Sequence, residues 1–132
     1  MFYFRRDGVA IIIEPDPDLA SALCDLLIQM GYLPISAPTH AKAAEQAALY
    51  NSIALLAACV PAPDESRAGI YLEQAVILNP LLAIVLMLCD TSETPDNAPK
   101  QAVRVLKPFG RDALERAILE SERKVRHNLV IE

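Results

Sequence analysis

Val9-Ala-Ile-Ile-Ile13 is followed at once by Glu14-Pro-Asp-Pro-Asp-Leu19, and the change of pattern between the two decides the fold. A short, unbroken apolar run reads as a strand buried on both faces, because a half-solvated strand would alternate. Asp16-Pro17-Asp18 then supplies a cap, a first-turn proline and a first-turn acid for a helix. Leu19, Leu23, Leu26, Leu27 and Met30 continue at helical spacing, and Gly31 stops the helix. The unit is a strand, a tight turn and a helix.

The same unit recurs outward along the chain. Leu33 to Ala37 reads as a second strand, and Pro34 places it at a sheet edge because proline cannot donate to a ladder. Thr39 caps an alanine-rich helix running to about Tyr50. Ile53 to Cys59 is a third strand, followed by the proline-rich stretch Pro61 to Gly69. Ile70 to Leu78 reads as a helix closed by Asn79-Pro80, and Leu81 to Leu88 is a fourth buried strand. Between Cys89 and Lys100, Pro95 and Pro99 preclude a long helix. Ala102 to Leu106 is the fifth strand. From Arg111 to about His127 the pattern is helical, with Leu114, Ile118 and Val125 on one side. Strands alternating with helices five times argue for a parallel sheet with helices on both faces.

Composition narrows the function. The chain has 132 residues, enough for one domain, expected to span 1–132 with a core over about 8–120 and a C-terminal helical extension at 121–132. Apolar residues make up 53%, which favours a packed globule over disorder. The net charge of −5 disfavours non-specific nucleic-acid binding, which needs a basic face. No apolar run reaches the length of a membrane span, so no membrane association is expected. Cys24, Cys59 and Cys89 are odd in number and widely spaced, neither a disulfide framework nor a zinc pattern. A reducing cytoplasm is the simplest setting. There is no Gly-x-Ser-x-Gly and no glycine-rich phosphate loop, so no enzyme is expected, and no cofactor.

From about Val9 to Ile118 the chain resembles response-regulator receiver domains. The resemblance is carried by the apolar strand ending in acids, by Pro17-Asp18-Leu19 opening a helix that ends Met30-Gly31-Tyr32, by an apolar strand followed by Pro61, and by Lys107-Pro108-Phe109 after the last strand. It implies a flavodoxin-like (βα)5 doubly wound α/β fold with a five-stranded sheet in the order 2-1-3-4-5, and a site at the carboxyl ends of the strands.

In that family, acids after the first strand hold a magnesium ion and an aspartate after the third accepts the phosphoryl group. A hydroxyl after the fourth and a lysine after the fifth complete the site. Mg²⁺ takes carboxylate oxygens, and the cations neutralise the phosphoryl oxygens. Here the acid pair aligns with Glu14 and Pro15, and proline has no ligand to offer. Asp16 is a third acid nearby. The acceptor position aligns with Ala57 when Pro61 is the matching proline, or with Cys59 when Pro63 is. Neither register supplies an aspartate, and the nearest carboxylate beyond is Asp64. The hydroxyl position aligns with Met87 and the aromatic switch position with Arg104, while Lys107 is retained.

The degenerate pocket is therefore Glu14, Asp16, Ala57, Met87 and Lys107, with no catalytic residue and no metal, and Lys107 is expected to pair with Glu14. The resemblance implies a degenerate, phosphorylation-independent receiver in two-component signalling. Its partner would be a protein: a sensor kinase, another receiver or a fused output domain, with a homodimer through the last helix as a further option. The competing expectation is a small-molecule or redox sensor using a remodelled pocket lined by Ala57, Cys59, Met87 and Cys89. Cys59 and Cys89 otherwise read as small buried hydrophobes. His40 and His127 lie outside any ligand-spaced motif, one at a helix start and one at a helix end.

Overall fold

The computed structural model describes residues 8–50, 53–60, 75–89 and 100–131, with side chains described as far as Arg126. Five strands form one sheet: β1 (Val9–Ile13), β2 (Leu33–Ala37), β3 (Leu55–Val60), β4 (Ala83–Leu88) and β5 (Val103–Leu106). Helices α1 (Pro17–Gln29) and α2 (His40–Ala47) follow β1 and β2. α3 is described over residues 75–78, and α4 (Arg111–Ile131) closes the fold. The sheet is parallel throughout, in the order β2-β1-β3-β4-β5. This is the doubly wound order that the resemblance implied.

Local chemistry accounts for each boundary. Asp16 is the N-cap of α1, its side chain accepting from the Asp18 N–H, with Pro17 in the first turn. At the other end Gly31 adopts φ 97°. That left-handed turn lets the Gly31 N–H reach the Ile28 carbonyl and the Tyr32 N–H reach the Leu27 carbonyl, the Schellman closure. β2 is an edge strand, with Pro34 opposite Ala10. α2 ends at Ala47, before the expected Tyr50, because the chain leaves the helix through a turn over residues 48–50.

Two apolar layers sandwich the sheet. On one side Ala10, Ile12, Leu55, Ala57, Val85 and Met87 meet α1 and α4 through Leu23, Leu27, Leu114 and Ile118. On the other, Ile11, Ile13, Leu56, Leu86 and Leu88 form a second layer together with Ala43 of α2 and Leu82. All six residues of β4 are buried, as befits a strand paired on both edges and covered on both faces. Each fully buried Leu or Ile contributes about 1.5–3 kcal/mol, so these layers dominate stability.

α4 extends four residues beyond the expected end, to Ile131. Ser121, within the line of apolar residues, is fully buried and donates its hydroxyl to the Ile118 carbonyl at 2.7 Å. The neighbouring Glu122 accepts a short hydrogen bond from the Tyr32 hydroxyl, tying α4 to the start of β2. The expected helix over Ile70–Leu78 lies outside the described residues up to residue 74. The broken segment before Lys100 and the side chain of His127 lie outside them as well.

Candidate functional site

The carboxyl ends of β1, β3 and β5 bring three side chains together. Glu14 directly follows β1, and its N–H donates to the Ala37 carbonyl at 3.0 Å, extending the β1–β2 ladder by one step. This fixes the side chain inward, where it is 1% exposed. Lys107 directly follows β5, its N–H donating to the Leu88 carbonyl of β4. The Lys107-Pro108 peptide is cis. Cys59 is the fifth residue of β3, opposite Met87 of β4.

Lys107 Nζ lies 2.8 Å from Glu14 Oε1 and 3.3 Å from Cys59 Sγ. The other Glu14 oxygen, Oε2, accepts the Asp16 N–H at 3.1 Å. Both carboxylate oxygens are thus engaged, which a buried charge requires. The expected Lys107–Glu14 pair is present.

The remaining candidates sit elsewhere. Asp16 is exposed, and its Oδ1 accepts the Asp18 N–H at 3.0 Å, so it caps α1 and contributes no carboxylate to the Lys107 cluster. Ala57 points to the same face of β3 as Cys59 but one pleat deeper, opposite Ile12 and Val85 and closed within the core. Met87 is likewise fully buried. Of Ala57 and Cys59, Cys59 lies nearer the carboxyl end of β3, and its side chain is the one that reaches Lys107. Of the four residues expected to line a remodelled pocket, Ala57 and Met87 are buried in the core, Cys59 is partly buried and Cys89 is exposed. Cys89 is exposed, which corrects its reading as a buried hydrophobe, while Cys59 is partly buried, and none of the three cysteines is in a disulfide. Arg104 is exposed on β5.

The electrostatics favour a closed ion pair and a protonated thiol. Burial pushes the Cys59 thiol up; the Lys107 hydrogen bond opposes this, but Glu14 adds to it, and the net shift is upward. For Lys107, burial pulls the ammonium down, yet the hydrogen bonds to Glu14 and Cys59 outweigh it and the net shift is also upward. Lys107 therefore stays charged at neutral pH and Cys59 stays a thiol, a poor nucleophile. Among the described residues, no group of three or more His, Cys, Asp or Glu side chains is placed to hold a metal ion.

Solved structures with this arrangement of strands are numerous. A response regulator receiver protein from Sinorhizobium medicae WSM419 superposes with a TM-score of 0.79 at 16% identity, over 91% of this chain and 98% of that one. The fold is that of response-regulator receiver domains. The signal receiver domain of an HD domain-containing protein from Pseudomonas fluorescens Pf-5 gives 0.76 at 14% identity, over 97% and 96% of the two chains. A sensor protein from Polaromonas sp. JS666 gives 0.68 at 26% identity, over 91% and 97%. No protein-family model and no curated protein matches the sequence. The described part of this chain has the strand order of those structures. Among the described residues, no helix is long and apolar enough to cross a membrane.

Cys59 is the residue that the alternative register names, since Pro63 stands to it as Pro61 stands to Ala57.

Proposed function

We propose that the chain is a degenerate receiver, a pseudo-receiver of two-component-type signalling, that works by binding another protein without being phosphorylated. The observation that carries this reading is the Lys107–Glu14 pair beside a thiol. In a phosphorylatable site the lysine must be available to balance a phosphoryl group, and an aspartate must be available to accept it. Here the ammonium is already neutralised by a buried carboxylate, and its other neighbour at the end of β3 is the thiol of Cys59.

Magnesium has no ready seat either. The cation takes several oxygen ligands at near-ideal octahedral geometry. Glu14 has both oxygens engaged, Pro15 offers no side-chain oxygen, and Asp16 is spent on the helix cap. This chemistry supports the reading of a site that does not seat magnesium. The partner is a sensor kinase, another receiver or an output domain, and α4, running on to Ile131, offers a route to a homodimer or an appended module. The acidic balance of the chain argues against nucleic acid as the partner.

Amide NMR during titration with beryllofluoride and Mg²⁺ tests the reading. Unchanged resonances at Cys59, Met87 and Lys107 are expected. Saturable shifts there would show that the site still takes a phosphoryl mimic and would overturn it.

A further inference from the structure

Lys107 Nζ lies 3.3 Å from Cys59 Sγ, which puts a primary amine in contact with a thiol. The sheet builds this contact. Cys59 is near the end of β3, Lys107 follows β5, and β4 runs between them. The lysine stem therefore reaches past β4 to the sulfur, and Glu14 holds its far end at 2.8 Å. That carboxylate is 1% exposed, so the nitrogen is kept beside the sulfur and not swung into solvent.

A thiol held against a nitrogen has a reaction open to it that an isolated thiol lacks. Hydroperoxides convert thiols to sulfenic acids, and a sulfenic acid condenses with a nearby nitrogen to give a sulfenamide. The competing sulfur is Cys89, which is close enough to act on Cys59 electrostatically. It follows β4, two residues past Met87, the partner of Cys59. That makes it a diagonal neighbour, farther than a disulfide spans without backbone movement. Lys107 is already in contact.

We propose that Cys59 and Lys107 are the site of an oxidative cross-link, a Sγ–Nζ bond formed when a hydroperoxide oxidises the thiol. In the first step the O–O bond of the peroxide breaks. The sulfur takes one oxygen to become Cys59–S–OH, and water or an alcohol leaves. In the second, the Lys107 ammonium gives a proton to Glu14 and the amine attacks the sulfur. The S–O bond breaks, and the departing hydroxide takes another nitrogen proton and leaves as water. Sulfur loses a pair of electrons and the peroxide gains it.

The bonded nitrogen carries no charge, and Glu14 holds a proton in place of its counter-ion. The ion pair that closes the site is then gone, so oxidation switches the rim shared by β1, β3 and β5. The inference does not depend on the pseudo-receiver reading, which the beryllofluoride titration tests by itself. Burial keeps the Cys59 thiol protonated against the opposing hydrogen bond from Lys107, with Glu14 and Cys89 adding to burial. Thiolate is the species that reacts, so the cross-link forms slowly at neutral pH and faster in alkali.

The test treats the whole chain with hydrogen peroxide. It reads the intact mass and a peptide map after cleavage at glutamates, where Cys59, Cys89 and Lys107 fall in separate fragments. The expected product is lighter by a pair of hydrogens, joins the Cys59 and Lys107 fragments, and reverts with dithiothreitol. It should form in Cys89→Ser, form faster as pH rises, and be absent from a Lys107→Arg variant whose amide spectrum shows it folded. A map joining Cys59 to Cys89 would overturn the proposal. So would a joined product that keeps the oxygen, oxidation of Cys59 that leaves Lys107 unlinked, or a Cys59 that does not react.

Discussion

Lys107 Nζ bridges Glu14 at 2.8 Å and Cys59 at 3.3 Å, so one cation ties together the ends of β1, β3 and β5. The two contacts differ in kind. The first is a charge pair with its acid buried, and the second is a weak bond to a neutral thiol. The consequences of breaking them should differ accordingly.

Removing Lys107 leaves the Glu14 carboxylate buried without its counter-ion. Lys107→Met should destabilise the fold by about 3 kcal/mol, the lower end of the range for broken buried pairs because the lysine is itself partly exposed. Glu14→Gln combined with Lys107→Met should recover most of the loss, since no isolated charge remains. Urea denaturation of the single and double variants checks this. A double variant as unstable as Lys107→Met would mean that packing of the lysine stem, and not the stranded charge, is responsible.

The site should also loosen in alkali. Cys59 and Lys107 both have folded-state pKa values raised above their ordinary values of 9.0 and 10.5. The folded chain thus holds these protons more tightly than the unfolded chain does. Their stabilising contribution is complete below about pH 9 and is lost as pH rises through the raised values. Tm measured from pH 7 to 11 should be flat with respect to these groups at first and then fall. In Cys59→Ser the onset of the fall should move towards the lysine range.

Asp16 tests the separation of cap from site. Asp16→Ala should cost about 1 kcal/mol, as the loss of an N-cap does, and leave the Lys107 and Cys59 resonances in place. Thr39→Ala, at the cap of α2, should cost a similar amount. A large perturbation at Lys107 in the Asp16 variant would show that Asp16 belongs to the cluster after all.

Restoring the missing oxygens should restore metal binding. Pro15→Asp with Cys59→Asp should bind Mg²⁺ at least tenfold more tightly than Cys59→Asp alone, because the cation needs several carboxylate oxygens around it. Thermal shift across a Mg²⁺ titration reads the difference. Equal responses would mean that position 15 is not the missing ligand.

The order of elements was legible in the sequence because parallel strands buried on both faces leave unbroken apolar runs, as in Ile11–Ile13 and Ala83–Leu88. Gly31 and Asp16 marked the limits of α1 because caps depend on a single residue's conformation or a single side-chain oxygen. The site was legible only in part. Glu14 and Lys107 each follow a strand end that the sequence marks clearly. The third member did not declare itself, because Ala57 and Cys59 share a face of β3 and the prolines that could set the register occur twice. Depth along the strand decides between them, and depth is a property of the whole sheet.

The strand order carries a consequence for synthesis. β1 leaves the ribosome early, yet it lies between β2 and β3, and β3 begins only at Leu55. Until then Val9–Ile13 can pair on one edge at most, and two faces of isoleucine lack the helices that will cover them. Parallel pairing between distant segments forms slowly and leaves apolar strands exposed meanwhile. The nascent chain should therefore rely on chaperones or on rapid elongation through residue 60, and stalling just before β3 should be its most aggregation-prone moment.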